Sequence, residues 1–115
     1  MIPPNNDTYS QFTRIGDIIF VSGQLGIRTD DTLPGDFKEQ TRQAIENIAG
    51  ILAEAGSSLA RVAKVTIFVT DFSRLAEMNE VYRQHFTHRP AKTTVEIARL
   101  DKGAMIEIEV IAAAD

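Results

Sequence analysis

Three charged side chains stand out in the closing part of the chain, residues 89–112. Lys92 lies near its start, and Glu107 and Glu109 alternate with apolar residues near its end. Side chains of a strand alternate between its two faces, so the two carboxylates share one face. The opposite face carries Ile106, Ile108 and Val110. A carboxylate can accept a proton and an ammonium can hold an anion, so this stretch is the first candidate for a site.

Composition narrows the class of protein. The 115 residues are expected to form one domain, 1–115, in which residues 1–7 are a loose lead-in rich in Pro and Asn. A hydrophobic fraction of 43% with 24% charged residues is ordinary for a globular chain, and no apolar run approaches the roughly 20 residues of a membrane span. Because no secretory pattern is present, a cytoplasmic location is expected.

Several kinds of chemistry are also disfavoured. The chain has no cysteine, which excludes disulfides and thiolate catalysis, and its two histidines do not suggest a metal site. A net charge of -4 argues against binding to the phosphate backbone of nucleic acids, which normally needs a clustered basic face.

Hydrophobic periodicity places the elements that must position the charges. Residues 9–15 and 17–24 are predicted as strands around a turn at Gly16-Asp17, with a possible bulge at Gly23. After a loop at 25–35, Asp36 and Glu39 match a capping box, and Gly56 ends the helix. The apolar stripe of that helix is Phe37, Thr41, Ala44, Ile45, Ile48, Ile51 and Leu52.

The second half repeats this alternation of strand and helix. Residues 62–70 are rich in β-branched residues and are predicted as an interior strand. A second helix starts at residues 71–73 and ends before Pro90. Its inner stripe is Leu75, Met78, Val81, Tyr82, His85 and Phe86. Two closing strands joined by a turn at 101–103 complete the order β-β-α-β-α-β-β.

This order indicates an α+β fold with one mostly antiparallel sheet and two helices packed on one face. Two helices cover one face only. Either Ile19 or Phe20, and either Ile67 or Phe68, must then lie on the uncovered face, because alternation cannot place both members of a pair under the helices. An uncovered apolar sheet face predicts an oligomer.

With the elements placed, the chain resembles the reactive-intermediate deaminase family, also called the Rid or YjgF-type proteins. The matching segments cover nearly the whole length in the family's order and spacing. They are Tyr-Ser-Gln at 9–11, Val-Ser-Gly-Gln at 21–24, Gln40 to Ile48, Ala-Gly-Ser-Ser at 55–58, Val65 to Asp71, Met-Asn-Glu-Val-Tyr at 78–82, Arg-Pro-Ala at 89–91 and Ile106 to Ala112.

The resemblance implies a chorismate-mutase-like fold and a homotrimer whose three sheets form a central barrel, with clefts between neighbouring subunits. It implies a hydrolytic deaminase that converts reactive enamines or imines of small carboxylic acids, such as 2-aminoacrylate or a related aminomuconate-type compound, into the keto product and ammonia. The resemblance implies no cofactor. RNA binding or cleavage is attached to some members of the family, but the net charge of -4 argues against it for this chain.

The resemblance also implies the site residues. Glu107, Tyr9 and Asn79 match catalytic positions, while Lys92, Ser22 and Thr94 match substrate-binding positions. Lys92 stands where the family usually has arginine. Arginine grips a carboxylate with two parallel N–H bonds, whereas lysine supplies a point charge on a flexible stem.

Structural readings stay open beside these roles. Glu107 could form an ion pair at a subunit interface, and the same holds for Glu109. Lys92 could pair with Glu96 on the same strand or with a neighbouring subunit. The alternative function is a non-catalytic trimer that binds small carboxylates or a protein partner.

Overall fold

The computed structural model describes residues 7–115 and contains five strands and two helices over that range. The strands are β1 (Phe12–Ile15), β2 (Ile18–Leu25), β3 (Val62–Val69), β4 (Ala91–Glu96) and β5 (Ile106–Ala113). The helices are α1 (Phe37–Glu54) and α2 (Leu75–His85), and 3₁₀ turns cover Leu59–Arg61, Phe72–Arg74 and Asp101–Gly103. The predicted order is confirmed. The predicted lead-in at residues 1–6 lies outside the described residues.

All five strands form one sheet in the order β1-β2-β5-β3-β4. The pairs β1–β2, β2–β5 and β3–β5 are antiparallel, whereas β3 and β4 are parallel. The predicted turn at residues 101–103 is present, but the expected hairpin of β4 and β5 is wrong, because β3 lies between the two strands. The chain reaches β4 from β3 through α2, which is the long connection that a parallel pair requires.

The two helices cover one face of the sheet. The side chain of Asp36 accepts a hydrogen bond from the backbone N–H of Glu39 and starts α1, and Gly56 follows the helix with a φ of 79°. Every residue of the predicted α1 stripe is buried. In α2 the buried residues are Met78, Val81 and Tyr82, with Phe86 just beyond. These side chains pack on the buried residues Ile19, Val21, Val65, Ile67, Val69, Ile106, Ile108, Val110 and Ala112 of the sheet.

The opposite face of the sheet, called here the open face, carries apolar side chains that the described chain does not cover. Phe20 rather than Ile19 lies on it and is 37% exposed, and Phe68 rather than Ile67 lies on it, half-buried and in register with Glu107. Ile18 is 43% exposed on the same face. The structure thus shows which member of each predicted pair is uncovered. The open face is an apolar surface of the kind that mediates association.

The strand boundaries differ from the prediction at the start of the chain. Strand β1 begins at Phe12, so Tyr9 precedes the sheet instead of lying within it. The turn at Gly16-Asp17 is confirmed. The register of β2 against β5 shifts between Val21 and Gln24, which confirms the bulge at Ser22-Gly23. Among the described residues, no helix is long and apolar enough to cross a membrane.

Candidate functional site

Lys92 lies on the face of the sheet that the helices cover. In the parallel pairing of β3 and β4, Lys92 stands opposite the buried Val65, so its side chain emerges toward α2. Its Nζ donates a hydrogen bond to Oδ1 of Asn79 at 2.6 Å. The same Nζ lies 4.8 Å from the centre of the Tyr82 ring, within the range of a cation–π contact. The structure therefore brings together two of the predicted site residues, Lys92 and Asn79.

The surroundings of Lys92 disfavour its positive charge, and a bound anion would offset this effect. Burial lowers the pKa of Lys92, and the positive charge of Arg83 lowers it further. The predicted alternative of a pair with Glu96 is not formed. The carboxylate of Glu96 instead accepts the backbone N–H of Phe72 at 2.8 Å. Among residues 7–115, no ion pair of Lys92 is present.

Thr94 lies two residues farther along β4. It stands opposite the buried Ile67 and is half-buried, so it shares the face of Lys92. Because residues i and i+2 of a strand lie on the same face roughly 7 Å apart, a ligand held by Lys92 can also reach the hydroxyl of Thr94. Asn79, Lys92 and Thr94 are called the cationic group below.

Glu107 lies on the open face. It pairs in register with Leu25 of β2 and with Phe68 of β3. Its carboxylate occupies the space beside Gly23, where an added Cβ would lie 2.5 Å from Oε2. Burial raises the pKa of Glu107, and the negative charges of Glu109 and Asp101 raise it further. A carboxylate with a raised pKa is suited to accept and return a proton near neutral pH.

Ser22 joins the lead-in of β1 to the bulge of β2. Its Oγ donates to the carbonyl oxygen of Ser10 at 2.6 Å, and its backbone N–H donates to that of Gln11 at 2.9 Å. These bonds fix residues 10 and 11 against the strand, next to Tyr9, which is 52% exposed. Tyr9, Ser22 and Glu107 are called the carboxylate group below.

Lys92 and Glu107 lie on opposite faces of the sheet within one chain. Lys92 faces α2 at the β4 edge, and Glu107 faces away from the helices on β5, with β3 between the two strands. A single ligand cannot touch both side chains of one subunit through the sheet. A site that uses both must therefore take them from two chains.

Three residues of the site were missed by the sequence reasoning. Gly23 was predicted only as a bulge, although its missing side chain makes room for Glu107. Tyr82 was placed in the core, yet its ring lies under Lys92, and its buried hydroxyl has no hydrogen-bond partner among the described residues. Arg83 was not considered, although its charge acts on Lys92. Spacing along α2 could have pointed to Arg83, because it lies four residues after Asn79.

A separate polar groove of about 390 Å³ lies between α1 and β2. The amide of Asn47 donates to the carbonyl oxygens of Leu25 and Ile27 at 3.1 and 2.9 Å and so ties the loop after β2 to the helix. The other polar side chains around the groove are Gln11, Gln24, Thr29, Gln43, Glu46 and Glu54. None of the six predicted site residues lines this groove, so it is distinct from both groups.

The comparisons with known proteins agree on one family. A family profile described as Endoribonuclease L-PSP matches residues 2–114. A RutC family protein of Pyrococcus abyssi is 49% identical over 107 residues, which are 90% of this chain and 84% of that protein.

Solved structures agree with the observed fold. RidA from the Antarctic bacterium Psychrobacter superposes with a TM-score of 0.91 at 39% identity, over 96% of this chain and 92% of that chain. TdcF of E. coli with bound serine gives a TM-score of 0.91 at 35% identity, over 98% and 93% of the two chains. The chain therefore belongs to the Endoribonuclease L-PSP family, the Rid or YjgF-type proteins that the sequence resembles.

Proposed function

We propose that this protein is a hydrolytic deaminase of reactive enamines or imines of small carboxylic acids, and that it works as a homotrimer with sites between subunits. The observation that carries this proposal is the placement of Lys92 and Glu107 on opposite faces of one sheet. A homotrimer in which the open face of one subunit meets the β4 edge of its neighbour supplies Glu107 from the first and Lys92 from the second. The apolar side chains of the open face, including Phe20, give a reason for the association.

In the proposed site the cationic group binds the substrate. Lys92 holds the substrate carboxylate, and the hydrogen bond to Asn79 together with the Tyr82 ring keeps the ammonium in one position. Thr94 offers a second contact on the same face. The structure of the relative TdcF contains serine, a small amino acid with a carboxylate, and this supports a ligand of the same class here.

The carboxylate group carries out the chemistry in this proposal. Glu107 accepts a proton from a water molecule as the water oxygen attacks the imine carbon, and the C=N electron pair moves to nitrogen, which takes that proton from Glu107. Glu107 then accepts the hydroxyl proton of the carbinolamine and passes it to the amino nitrogen, so that the C=O bond forms, the C–N bond breaks, ammonia leaves and Glu107 is again a carboxylate. Tyr9 and Ser22 contact the reacting nitrogen or the water. Each substrate consumes one water and releases one keto acid and one ammonia.

The test is a measurement of keto acid and ammonia release from 2-aminoacrylate generated in the assay by a separate enzyme. We expect release well above the rate in buffer, in proportion to the concentration of the protein. A correctly assembled protein that gives no acceleration across several imines would reject the deaminase. Saturable binding of a keto acid in that case would support the alternative, a carboxylate-binding module without turnover.

Nucleic acid is not part of this proposal, although the family description names an endoribonuclease. The net charge of -4 disfavours contacts to the phosphate backbone. We expect neither cleavage nor salt-sensitive binding when the protein is incubated with single-stranded RNA. Cleavage that is lost in a Glu107→Gln variant would contradict the assignment of this site to imines.

A further inference from the structure

The ring of Tyr82 has two close neighbours. Nζ of Lys92 lies 4.8 Å from the centre of the ring, within the range of a cation–π contact. The ring of Phe86, which follows α2, stacks on that of Tyr82, with the ring centres 4.7 Å apart and the planes at 27°. Tyr82 and Phe86 are only 7% and 2% exposed. The Tyr82 ring is therefore fixed by packing, and a fixed ring can in turn hold the ammonium of Lys92.

The hydroxyl of Tyr82 takes no part in these contacts. It is buried, and it has no hydrogen-bond partner among residues 7–115. A buried polar group without a partner is destabilising, so the hydroxyl contributes nothing to packing. Burial also raises the pKa of Tyr82, which makes the phenol a poor proton donor near neutral pH. What Tyr82 supplies to the site is its ring.

The ring and the amide of Asn79 together limit how an anion can approach Lys92. An ammonium carries three N–H groups. At Lys92 one of them donates to Oδ1 of Asn79 at 2.6 Å, and the Tyr82 ring borders the same nitrogen. An anion must therefore approach from a side that neither neighbour occupies. Arginine obtains such a defined direction from its planar fork, which lysine lacks.

We propose that Tyr82 is a positioning residue for the substrate carboxylate, and that its ring, rather than its hydroxyl, sets the direction of the Lys92 ammonium. This inference rests on the proposed function, because it concerns the same cationic group. Tyr82 acts through Lys92 and does not touch the substrate. The negative face of its ring also favours the charged form of Lys92 and so opposes the effect of burial.

Three substitutions separate the ring from the hydroxyl and from packing. Tyr82→Phe keeps the ring and removes the hydroxyl, whereas Tyr82→Leu keeps an apolar side chain and removes the ring. Phe37→Leu is the matched control, because Phe37 is a buried ring of α1 whose centre lies 4.9 Å from the guanidinium carbon of Arg74. It removes an equivalent ring and cation–π contact at a cation other than Lys92.

Two measurements are made on each protein. The Cε–Hε NMR signals of the lysines are titrated with pH in the absence of ligand, and the signal of Lys92 is assigned by its loss in Lys92→Gln. The affinity for pyruvate is measured by calorimetry at neutral pH. The NMR measurement follows the contact of the ring with the ammonium, and the calorimetry follows its consequence for an anion.

The groups around Lys92 stay the same in these variants. Arg83 of α2 is a charged group that acts on Lys92 and lowers its pKa. The residue opposite Lys92 in β3 is the uncharged Val65. In β4 the carboxylate of Glu96 accepts the backbone N–H of Phe72. A change in the titration of Lys92 that is specific to the loss of the ring therefore reports the ring.

In the wild type we expect the signal of Lys92 to lie upfield of those of the other lysines, because protons above an aromatic ring are shielded. Tyr82→Leu should abolish this displacement, move the titration of Lys92 to lower pH by about 0.5 and weaken pyruvate binding about threefold, which is the effect of one cation–π contact. Tyr82→Phe should keep all three properties and raise Tm by about 4 °C, because an unsatisfied group is removed. Phe37→Leu should lower Tm without changing the signal of Lys92 or the affinity.

The failures can be told apart. If pyruvate binds the wild type but the signal of Lys92 is not displaced upfield, the positioning role is wrong and the proposed site stands; this test does not need Tyr82→Leu to fold. The same conclusion follows if Tyr82→Leu leaves titration and affinity unchanged, or if Tyr82→Phe or Phe37→Leu weakens binding equally. If pyruvate does not bind the wild type, the proposed carboxylate site and the inference that rests on it both fall.

Discussion

Lys92 and Glu107 are both partly buried charges, yet the chain holds them in different ways. Lys92 is held by direct contacts, a hydrogen bond to Asn79 and the ring of Tyr82. Glu107 is positioned by packing, because its carboxylate fills the space that a side chain at Gly23 would occupy. Burial lowers the pKa of Lys92 and raises the pKa of Glu107, and each shift favours the neutral form of the side chain.

The difference suggests a division of roles. A cation fixed by two contacts is suited to orient a ligand, since it loses little freedom when the ligand arrives. A carboxylate with a raised pKa is suited to exchange protons. Neither charge has its counter-ion in its own chain over residues 7–115, so the pairing of the two roles depends on assembly.

The largest effect is expected from a substitution that prevents Lys92 and Glu107 of two chains from meeting. Phe20→Glu places a charge on the apolar open face and should dissociate the proposed trimer, because an unpaired charge is costly to bury at an interface. Imine hydrolysis should fall to the buffer rate. Light scattering after size exclusion gives the mass of the assembly.

Phe72→Glu is the matched control for Phe20→Glu. Phe72 is 42% exposed but lies on the 3₁₀ turn before α2 and not on a strand of the sheet. It should leave both mass and activity unchanged. Full activity in a monomeric Phe20→Glu protein would show that one chain suffices and would remove the argument for a shared site.

The next prediction distinguishes the role of Glu107 from that of Glu109. Glu107→Gln keeps the shape of the side chain and removes the base, so the turnover number should fall about a hundredfold or more. Glu109→Gln removes the same charge from an exposed position on the same face and should change turnover by less than about threefold. Steady-state release of ammonia measures both. Equal losses in the two variants would point to a general effect of charge and not to catalysis.

A smaller effect tests whether the absence of a side chain at Gly23 positions Glu107. Gly23→Ala puts a Cβ 2.5 Å from Oε2, so the carboxylate must move, and a displacement of about 1 Å should lower turnover about tenfold. Stability should change little, because the atom that must yield is the end of a flexible side chain. Thermal unfolding and turnover are measured together.

Gly35→Ala serves as the control for Gly23→Ala, since an added Cβ at Gly35 meets nothing within 4 Å. It should leave turnover intact. If Gly23→Ala unfolds the protein or leaves turnover unchanged, the missing side chain at Gly23 is not what positions Glu107.

The smallest effect addresses the contacts of Lys92. Asn79→Asp places a carboxylate next to Nζ of Lys92, so the ammonium is neutralised and the affinity for pyruvate should fall about fivefold. Gln84→Glu adds the same charge at another exposed position of α2 and should leave the affinity unchanged. Calorimetric titration measures both. Unaltered binding in Asn79→Asp would show that the ligand carboxylate does not bind at Lys92.

The fold followed from the sequence in most respects. Alternation along the strands and the period of the helices predicted the elements, the cap at Asp36 and the buried stripe of α1, because each of these depends on neighbours close in the chain. The prediction that β4 and β5 pair was wrong for the same reason. A turn at residues 101–103 is a local signal, while the insertion of β3 between the two strands is decided by packing of α2 across the sheet.

The sequence by itself determined the family, the residues at the six candidate positions and the departure of Lys92 from arginine. It also determined that some apolar side chains of the sheet must remain uncovered. Only the tertiary structure decided that Phe20 and Phe68 are the uncovered ones, and that Lys92 and Glu107 face opposite ways. The physical reason is register. Which face a side chain takes depends on how its strand pairs with another, and that pairing is formed by residues far apart in the chain.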